Sequence, residues 1–355
     1  YMAERIRIKD IALKAGVSVG TVGRVLHKRP NVSEKVREKV EKVLKEQNYE
    51  PNMYASALAY NKSYHFCVLI PSHDQVAYWE EVEQGVKKAT EVRKDFHISV
   101  SLLYYDRFDS ENFLQEAEKC FDGKFDGMVI VPTTLDVTKV ITDRLHSQNI
   151  PFVLLDSYMP DLRPLAFFGQ DSFASGYFAA RMLMLIASEE REIMLMKITK
   201  DGIVVSKQQD NREVGFRHYM KDHFPSVKIV PLELPFFGSR QKNDAIFNEF
   251  FSLHPDIHHC ITLGSKAHIL GEYLLRSNRR DIQIMGYDMV KKNAECLSKG
   301  SISFLIAQHA YQQGYSCIDA LFKAVVLKTT VPAINYMPIE LLTPENVNFY
   351  RRMQL

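Results

Sequence analysis

IKDIALKAGVSVGTVGRVL, residues 8–26, decides how the start of this chain folds. Ile11 and Ala15 share the apolar face of a first predicted helix, and Gly16 then breaks the helical pattern. Ser18 offers its hydroxyl as the N-cap of a second helix that runs to about the end of this stretch. Two short helices joined by a tight glycine turn predict a helix-turn-helix, whose second helix can enter the major groove of DNA.

The second predicted helix has an apolar face and a face open to solvent. Val22, Val25 and Leu26 point inward. The opposite face carries three residues at helical spacing, which are Gly20, Arg24 and His27.

A third helix is predicted to begin at Ser33 and to close a three-helix core. Its apolar stripe consists of Val32, Val36, Val40, Val43 and Leu44, and its solvated side of Lys35, Glu38, Lys39, Lys42 and Lys45. Residues 53–60, after Pro51 and Asn52, form an alanine-rich run. This run is shorter than the roughly 12 to 15 residues at which an isolated helix becomes marginal in water. We therefore expect this hinge helix to form only when a partner binds it.

These features resemble the N-terminal signature of the lactose-repressor (LacI/GalR) family of bacterial transcription regulators. The resemblance covers about the first 60 residues in order and spacing. It is carried by Ile8-Lys9-Asp10-Ile11-Ala12, Ala15-Gly16-Val17-Ser18, Thr21-Val22-Gly23-Arg24-Val25-Leu26, Val32-Ser33-Glu34, Arg37-Glu38-Lys39-Val40, Tyr49-Glu50-Pro51-Asn52 and Ala55-Ser56-Ala57-Leu58.

The resemblance implies which residues contact operator DNA. Val19, Gly20 and Arg24 occupy base-reading positions, and Leu58 is the wedge that two hinge helices insert into the minor groove. Gly20 stands where a longer reading side chain is common. The full predicted set of DNA contacts is Ser18, Val19, Gly20, Thr21, Arg24, His27, Asn52, Ala55 and Leu58.

Composition and charge agree with a nucleic-acid partner for the N-terminal part alone. The 355 residues are 46% hydrophobic and 25% charged, which is ordinary for a protein with more than one core. Through Ser63, 13 basic side chains oppose seven acidic ones, a net charge of +6; the total of +2 leaves −4 for the remainder. A basic head on a slightly acidic body favours DNA binding by the head.

Other features bear on location and cofactors. No apolar leader precedes the head and no run of about 18 apolar residues occurs, so we expect a cytoplasmic protein with no membrane partner. The adjacent His258 and His259 lack a third ligand at metal spacing, and no cofactor is expected. The five cysteines are scattered without C-x-x-C spacing, which predicts reduced thiols: Cys67, Cys120, Cys260, Cys296 and Cys317.

After the hinge, strands and helices alternate, which predicts parallel sheets covered on both faces. Candidate strands are residues 66–70, 98–103, 127–131, 152–155, 193–198, 228–232, 259–263, 282–286 and 303–307. Candidate helices are residues 78–93, 111–121, 136–146, 172–187, 212–221, 241–252, 266–276, 290–298 and 312–328. These nine strand-helix units are too many for a single sheet. The predicted fold class is α/β, a three-helix helix-turn-helix head followed by two doubly wound parallel-sheet lobes.

The predicted domains follow this pattern. Residues 1–52 form the DNA-binding head, residues 53–63 the hinge helix and linker, and residues 64–355 the effector-binding and dimerisation body. Lobe one is predicted at about 64–168 and 301–330, and lobe two at about 169–300 and 331–355.

Polar residues follow the predicted strands, where ligands of such sheets bind. They are Asp74, Asp156, Asp288 and Gln308, and Asp171 precedes a predicted helix. Carboxylates and amides suit a hydroxylated ligand, and Tyr78 and Trp79 could stack on the apolar face of a sugar ring. Two alternatives stay open: Asp156 and Asp288 could cap helices, and Trp79 could be ordinary packing. For Phe236 and Phe237, packing is favoured over sugar stacking.

The body also resembles, at the level of pattern, the sugar-binding core of type I periplasmic binding proteins that this family carries. That resemblance implies that Asp171, Arg212, Asp288 and Gln308 line a cleft between the lobes. Its local matches are Leu155-Asp156, Gly169-Gln170-Asp171, Arg212-Glu213-Val214-Gly215-Phe216, Gly286-Tyr287-Asp288 and Ala307-Gln308. The stretch Leu263-Gly264-Ser265-Lys266 departs from it, because the Asn-Asp pair common after that strand is missing.

The predicted function is a DNA-binding transcriptional regulator, a repressor of carbohydrate-utilisation genes controlled by a sugar-like effector. One such head reads a half-site, so a homodimer is expected on double-stranded operator DNA. The alternatives are a sugar-binding transport protein and a sugar-modifying enzyme with an appended helical domain. No G-x-G-x-x-G follows a predicted strand, and no G-x-S-x-G elbow joins a predicted strand to a helix, which disfavours an enzyme.

Overall fold

A computed structural model describes residues 7–26, 30–47, 49, 62–74, 76–200, 203–204 and 206–352. The chain divides into two compact units, residues 1–61 and residues 62–355, which are taken separately. The predicted hinge helix at residues 53–60 lies outside the described residues. So do four predicted DNA contacts, which are His27, Asn52, Ala55 and Leu58.

Three helices make up the described part of the head: α1 (Ile8–Ala15), α2 (Val19–Leu26) and α3 (Glu34–Glu46). Gly16 ends α1 in the left-handed region, with φ at 63°, a conformation that costs glycine little. The Thr21 amide donates to the Ser18 hydroxyl oxygen at 3.1 Å, which is the predicted N-cap of α2. The three helices share one small core of buried Ile11, Ala12, Ala15, Val22, Val25, Val40 and Val43.

Lobe one is built on a six-stranded parallel sheet. In chain order its strands are β1 (Tyr64–Pro71), β2 (Ile98–Tyr105), β3 (Gly127–Ile130), β4 (Phe152–Leu155), β5 (Ala166–Gly169) and β12 (Ile334–Tyr336). In space they run β2-β1-β3-β4-β5-β12. Helices α4 (Tyr78–Glu91), α5 (Ser110–Phe121) and α6 (Leu135–Ser147) connect the first four strands. Strand β1 is buried along almost its whole length, as a central strand covered on both faces must be.

Lobe two repeats this plan. Its strands are β6 (Glu192–Lys200), β7 (Ile203–Val204), β8 (Lys228–Pro235), β9 (His259–Thr262), β10 (Gln283–Tyr287), β11 (Phe304–Ala307) and β13 (Glu340–Leu342). They run β8-β6-β9-β10-β11-β13, with β13 antiparallel to β11 and the short β7 antiparallel to the end of β6. Its helices are α7 (Ser172–Met184), α8 (Lys207–His223), α9 (Arg240–Leu253), α10 (His268–Arg276) and α11 (Lys291–Ser298).

The predicted fold class is confirmed, but the predicted division of the C-terminal residues between the lobes is wrong in two places. Residues 301–307 include β11, which pairs with β10 of lobe two. Residues 331–336 include β12, which pairs with β5 of lobe one. Between these strands, α12 (Ala310–Leu321) packs on α4 of lobe one and continues as a wider turn over Phe322–Val326. The chain therefore crosses between the lobes after β5, after β11 and after β12.

The side chain of Gln170 links the three segments in which the chain crosses between the lobes. Gln170, in the first, donates from its amide nitrogen to the carbonyl of Ala307 at 3.0 Å and to that of Pro338 at 2.8 Å. Ser175 in turn donates to the Gln170 side-chain oxygen at 2.8 Å. These bonds hold three chain segments far apart in sequence at one narrow connection between the lobes.

Several element boundaries differ from prediction. Strands β5, β7, β12 and β13 were not predicted, because each has two to four residues and little local periodicity. Helix α8 begins at Lys207, five residues before the predicted start. In the described ranges, no helix is long and apolar enough to cross a bilayer.

Candidate functional site

A cavity lies between the lobes at the carboxyl ends of the strands. It measures about 60 Å³, and a second cavity of about 780 Å³ opens beside it. Trp79, Arg107, Asp156 and Ser206 belong to the walls of both, so the two form one continuous cleft. The polar and aromatic wall of the inner cavity includes Tyr78, Trp79, Arg107, Asp156, Gln208, Arg212, Phe236, Lys266, Asp288 and Gln308.

Two aspartates occupy equivalent positions in the two lobes. Asp156 follows β4 with φ at 70°, and Asp288 follows β10 with φ at 69°. The amide of each donates to the next strand of its own sheet at 2.9 Å, Asp156 to Phe168 and Asp288 to Ile306. This left-handed turn, which aspartate tolerates better than most residues, is the same in both lobes. The repeated βα plan therefore supplies one carboxylate to each side of the cleft.

Arg212 organises the lobe-two side. It is 3% exposed, donates to the Leu263 carbonyl at 2.8 Å and to the side-chain oxygen of Gln308, and lies 4.3 Å from the Tyr287 ring centroid. Gln308 donates to the Asp288 carboxylate at 2.7 Å. Burial raises the pKa of Asp288 to about 6, against the opposing effects of Arg212 and Gln308. The result is a rigid, largely dehydrated chain of polar groups facing the cavity.

Close helix packing holds Arg212 in place. A Cβ atom built on Gly176 of α7 would lie 1.9 Å from the Arg212 carbonyl oxygen, and one on Gly215 would lie 2.1 Å from the Phe173 carbonyl oxygen. Only glycine permits this backbone approach of α7 and α8.

On the lobe-one side, α4 presents two buried donors. The Tyr78 hydroxyl and the Trp79 indole N–H have no hydrogen-bond partner among the described residues. Burial, and then the nearby carboxylates of Asp156 and Asp288, raise the pKa of Tyr78 well above its usual value, so the hydroxyl stays protonated. Because buried donors are rarely left unpaired, these two are available to a ligand with hydroxyl oxygens.

A direct bond spans the cleft. Gln208, at the start of α8, donates to the Ser157 hydroxyl oxygen at 2.9 Å and to the Asp156 carbonyl. Ser172 donates to the other end of the same amide. The lobes are therefore held together on this side of the cavity.

Six of the eight predicted effector residues line the inner cavity: Tyr78, Trp79, Asp156, Arg212, Asp288 and Gln308. Two do not. Asp171 instead caps α7, accepting from the Ala174 amide at 2.9 Å. The Asp74 side chain is 90% exposed. The helix-cap alternative considered for Asp156 and Asp288 thus applies to Asp171.

The prediction missed six polar residues of the inner wall, which are Arg107, Ser206, Gln208, Gln209, Ser265 and Lys266. Arg107 comes two residues after β2 and Lys266 four after β9, so their positions beyond strand ends were a usable signal. Gln208 had none, because α8 was predicted to begin after it. Phe236 both packs, as predicted, and lines the cavity, whereas Phe237 is 70% exposed.

In the head, the outer face of α2 is open. Val19, Gly20 and Arg24 are exposed, opposite buried Val22 and Val25. The Ser18 and Thr21 hydroxyls lie 2.9 Å apart at the start of this helix. The helix therefore presents short side chains and one guanidinium, as a helix entering a major groove would.

A helix-turn-helix head and a two-lobed α/β body in one chain define a class of bacterial regulatory proteins. Residues 7–52 match the model of bacterial regulatory proteins of the lacI family, and residues 66–329 match a periplasmic binding protein domain. A crystal structure of a protein from Bacteroides fragilis, assigned as a LacI transcriptional regulator, is 40% identical with a TM-score of 0.77. It covers 81% of this chain and 100% of that one. This chain belongs to the lacI family.

Curated relatives agree. The HTH-type transcriptional regulator DegA of Bacillus subtilis is 27% identical over 61% of this chain and 60% of its own length. The sucrose operon repressor of Staphylococcus xylosus is 26% identical over 57% of this chain and 59% of its own length. The chain thus matches about 60% of the length of these relatives. Both are transcriptional regulators, which confirms the predicted family and disfavours the transport-protein and enzyme alternatives.

Proposed function

We propose that this protein is a sequence-specific DNA-binding transcriptional repressor of carbohydrate-utilisation genes, controlled by a small polyhydroxylated effector bound between the two lobes. The observation that carries the effector site is the pair of buried donors of Tyr78 and Trp79, which have no partner in the described part of the chain and face a cavity also lined by Asp156 and Asp288. Sugar hydroxyls donate to carboxylates and accept from such donors. The repressor role is supported by family membership and by the sucrose operon repressor among its relatives.

The proposed contacts are these. The effector binds Tyr78, Trp79, Asp156, Arg212, Asp288 and Gln308, with Gln208 beside them. Operator DNA contacts Ser18, Val19, Gly20, Thr21, Arg24, His27, Asn52, Ala55 and Leu58. The protein acts as a homodimer, because one head reads only half of a two-fold operator. It acts in the cytoplasm.

Selection of bound duplexes from a random pool, followed by affinity measurements at several salt concentrations, tests the DNA-binding role. Selected duplex should bind more tightly than random duplex, and both affinities should fall as salt rises. An effector should weaken binding to the selected duplex. Equal affinity for all duplexes would contradict the proposal.

Tyr78→Phe tests the effector site. It removes a hydroxyl that has no partner among the described residues, so stability without ligand should not fall. Affinity for a sugar effector should drop roughly 10-fold, the effect of one lost hydrogen bond. Tyr311→Phe, on α12 outside the cavity walls, is the matched control. An unchanged effector affinity in Tyr78→Phe would remove this residue from the site.

A further inference from the structure

The cleft contains two cationic side chains that the recognition of neutral hydroxyls does not require. Arg107 enters the wall from lobe one and Lys266 from lobe two, and both line the inner cavity. Burial lowers the pKa of each, and for Lys266, whose pKa falls to about 8, the positive charge of Arg107 adds to the effect. For Arg107, Tyr105 and then the carboxylates of Asp156 and Asp106 oppose this effect. Lys266 is thus the cation held largely out of water near a second cation, which is costly without an anion beside it.

The partners of Lys266 are weak ones for an ammonium group. Its Nζ lies 3.5 Å from the centroid of the Phe236 ring and donates to the Phe236 carbonyl oxygen at 3.3 Å. In the part of the chain that the structure describes, no carboxylate oxygen lies within 4.0 Å of this nitrogen. A ring face and one carbonyl replace only part of the hydration that the ammonium loses.

A pair of aromatic rings gathers further positive charge at the same place. Phe108 of lobe one and Phe236 of lobe two are in edge contact, with centroids 4.8 Å apart. Lys200 Nζ lies 4.3 Å and the Arg107 guanidinium 5.9 Å from the Phe108 centroid. Three cations therefore surround two touching rings that belong to opposite lobes.

Both carboxylates of the inner cavity interact with Arg212. Asp288 accepts from Gln308, which also accepts from Arg212. Asp156 is close enough to interact with Arg107 as well as with Arg212. The cleft thus has one region of mixed donors and acceptors around Tyr78 and another that is predominantly cationic and aromatic.

We propose that the effector is an acidic sugar derivative, whose carboxylate or phosphate group binds between Arg107 and Lys266 while its hydroxyls occupy the region of Tyr78, Asp156 and Asp288. This inference rests on the proposed function of the cleft as the effector site. An anion bound by Lys266 of lobe two and Arg107 of lobe one contacts both lobes, so it also favours the closed arrangement of the lobes.

Matched ligand series on the full chain test the inference. D-glucose, D-glucuronate and D-glucose 6-phosphate form one series, and the corresponding galactose, mannose and fructose compounds form others. Thermal shift identifies binders, because a ligand of the folded state raises the melting temperature, and calorimetry then measures affinity. In at least one series, we expect the acid to bind at least roughly 10-fold more tightly than its neutral parent. Comparison of the carboxylate with the phosphate of that series then identifies which anion the cleft binds.

Variants connect the acid preference to the two cations. Lys266→Met and Arg107→Met should each lower affinity for the acid roughly 10- to 100-fold, while affinity for the neutral parent changes little. Lys139→Met removes an exposed lysine of α6 and is the control. Added salt should weaken binding of the acid only.

The outcomes separate the two proposals. A neutral parent that binds as tightly as its acid, or a folded Lys266→Met protein that binds the acid as tightly as wild type, would overturn the acidic effector but leave the cleft as an effector site. If no compound of any series raises the melting temperature, both the acidic effector and the sugar-effector cleft are contradicted.

Discussion

Among single residues, Asp288 shows that a buried carboxylate of the proposed effector site lowers the stability of the protein. Its carboxylate is 5% exposed, and burial raises its pKa to about 6, compared with about 3.9 for an ordinary aspartate. Between these two pH values the unfolded chain has lost the proton that the folded chain keeps. The free energy of unfolding therefore decreases as pH rises from about 4 to about 6, and it stays lower above that window.

Asp288→Asn should remove this cost. Asparagine tolerates the left-handed φ and keeps an oxygen that can accept from Gln308. We expect the variant to be roughly 1 to 3 kcal/mol more stable than wild type above about pH 6, with little difference near pH 4, and to bind effector more weakly. Urea denaturation at several pH values measures the first effect and calorimetry the second. A variant that is less stable than wild type at pH 7 would contradict this account.

Arg24 is the one long side chain on the described outer face of α2. Arg24→Ala should cost about 1 to 3 kcal/mol of operator affinity and relax the preference at one base pair, most simply a guanine, which arginine binds through two hydrogen bonds. Lys35→Ala, on the solvated side of α3, is the comparison. It should affect selected and random duplex equally or not at all. Equal weakening of both duplexes by Arg24→Ala would refute base reading.

At the level of elements, the same construction holds a site helix in each lobe. In lobe two, Gly176 and Gly215 let α7 and α8 touch through their backbones, and α8 carries Arg212 and Gln208. In lobe one, a Cβ on Gly85 of α4 would lie 1.9 Å from the Tyr311 carbonyl oxygen of α12. Helix α4 carries Tyr78 and Trp79. Close backbone contacts between helices therefore position α4 and α8, the two helices that carry these residues of the cleft wall.

Gly215→Ala should separate α7 from α8. The added methyl would overlap the Phe173 carbonyl oxygen, so we expect a loss of about 1 to 3 kcal/mol in stability and a weaker effector affinity as Arg212 moves. Gly123→Ala is the matched control, because nothing lies within 4 Å of a Cβ there. Its free energy of unfolding should stay within about 0.5 kcal/mol of wild type. Thermal and urea denaturation compare the two, and equal stability would mean that the helices adjust freely.

On the scale of the whole molecule, charge separates the two functions. The head carries +6 through Ser63 and the remainder −4, so the positive charge that would attract DNA is confined to the N-terminal part of the chain. We predict a dimer in sedimentation at micromolar concentration, and one dimer bound per two-fold operator. A monomer in solution that also binds operator DNA with one subunit would contradict the proposed assembly.

Local sequence was sufficient to predict the head and the class of the body. Caps, glycine turns and helical periodicity act between residues no more than about four or five apart, so Gly16, Ser18 and the Val22, Val25 face could be recognised directly. The two parallel-sheet lobes could be predicted in the same way. Each strand and each helix has its own local pattern, and their alternation is repeated along the chain.

Only the tertiary structure decided which lobe receives the last strands and which polar residues share the cleft. Gln170 bonds to Pro338, 168 residues away, and Arg212 bonds to Gln308, 96 residues away. Asp156, Asp171 and Asp288 all follow strands, yet the first and third face the cavity and the second caps a helix. Arg107 and Lys266, from opposite lobes, both line the inner cavity, whereas Asp171 does not. Membership of the cleft depends on how two distant sheets are placed against each other, and no local pattern encodes that placement.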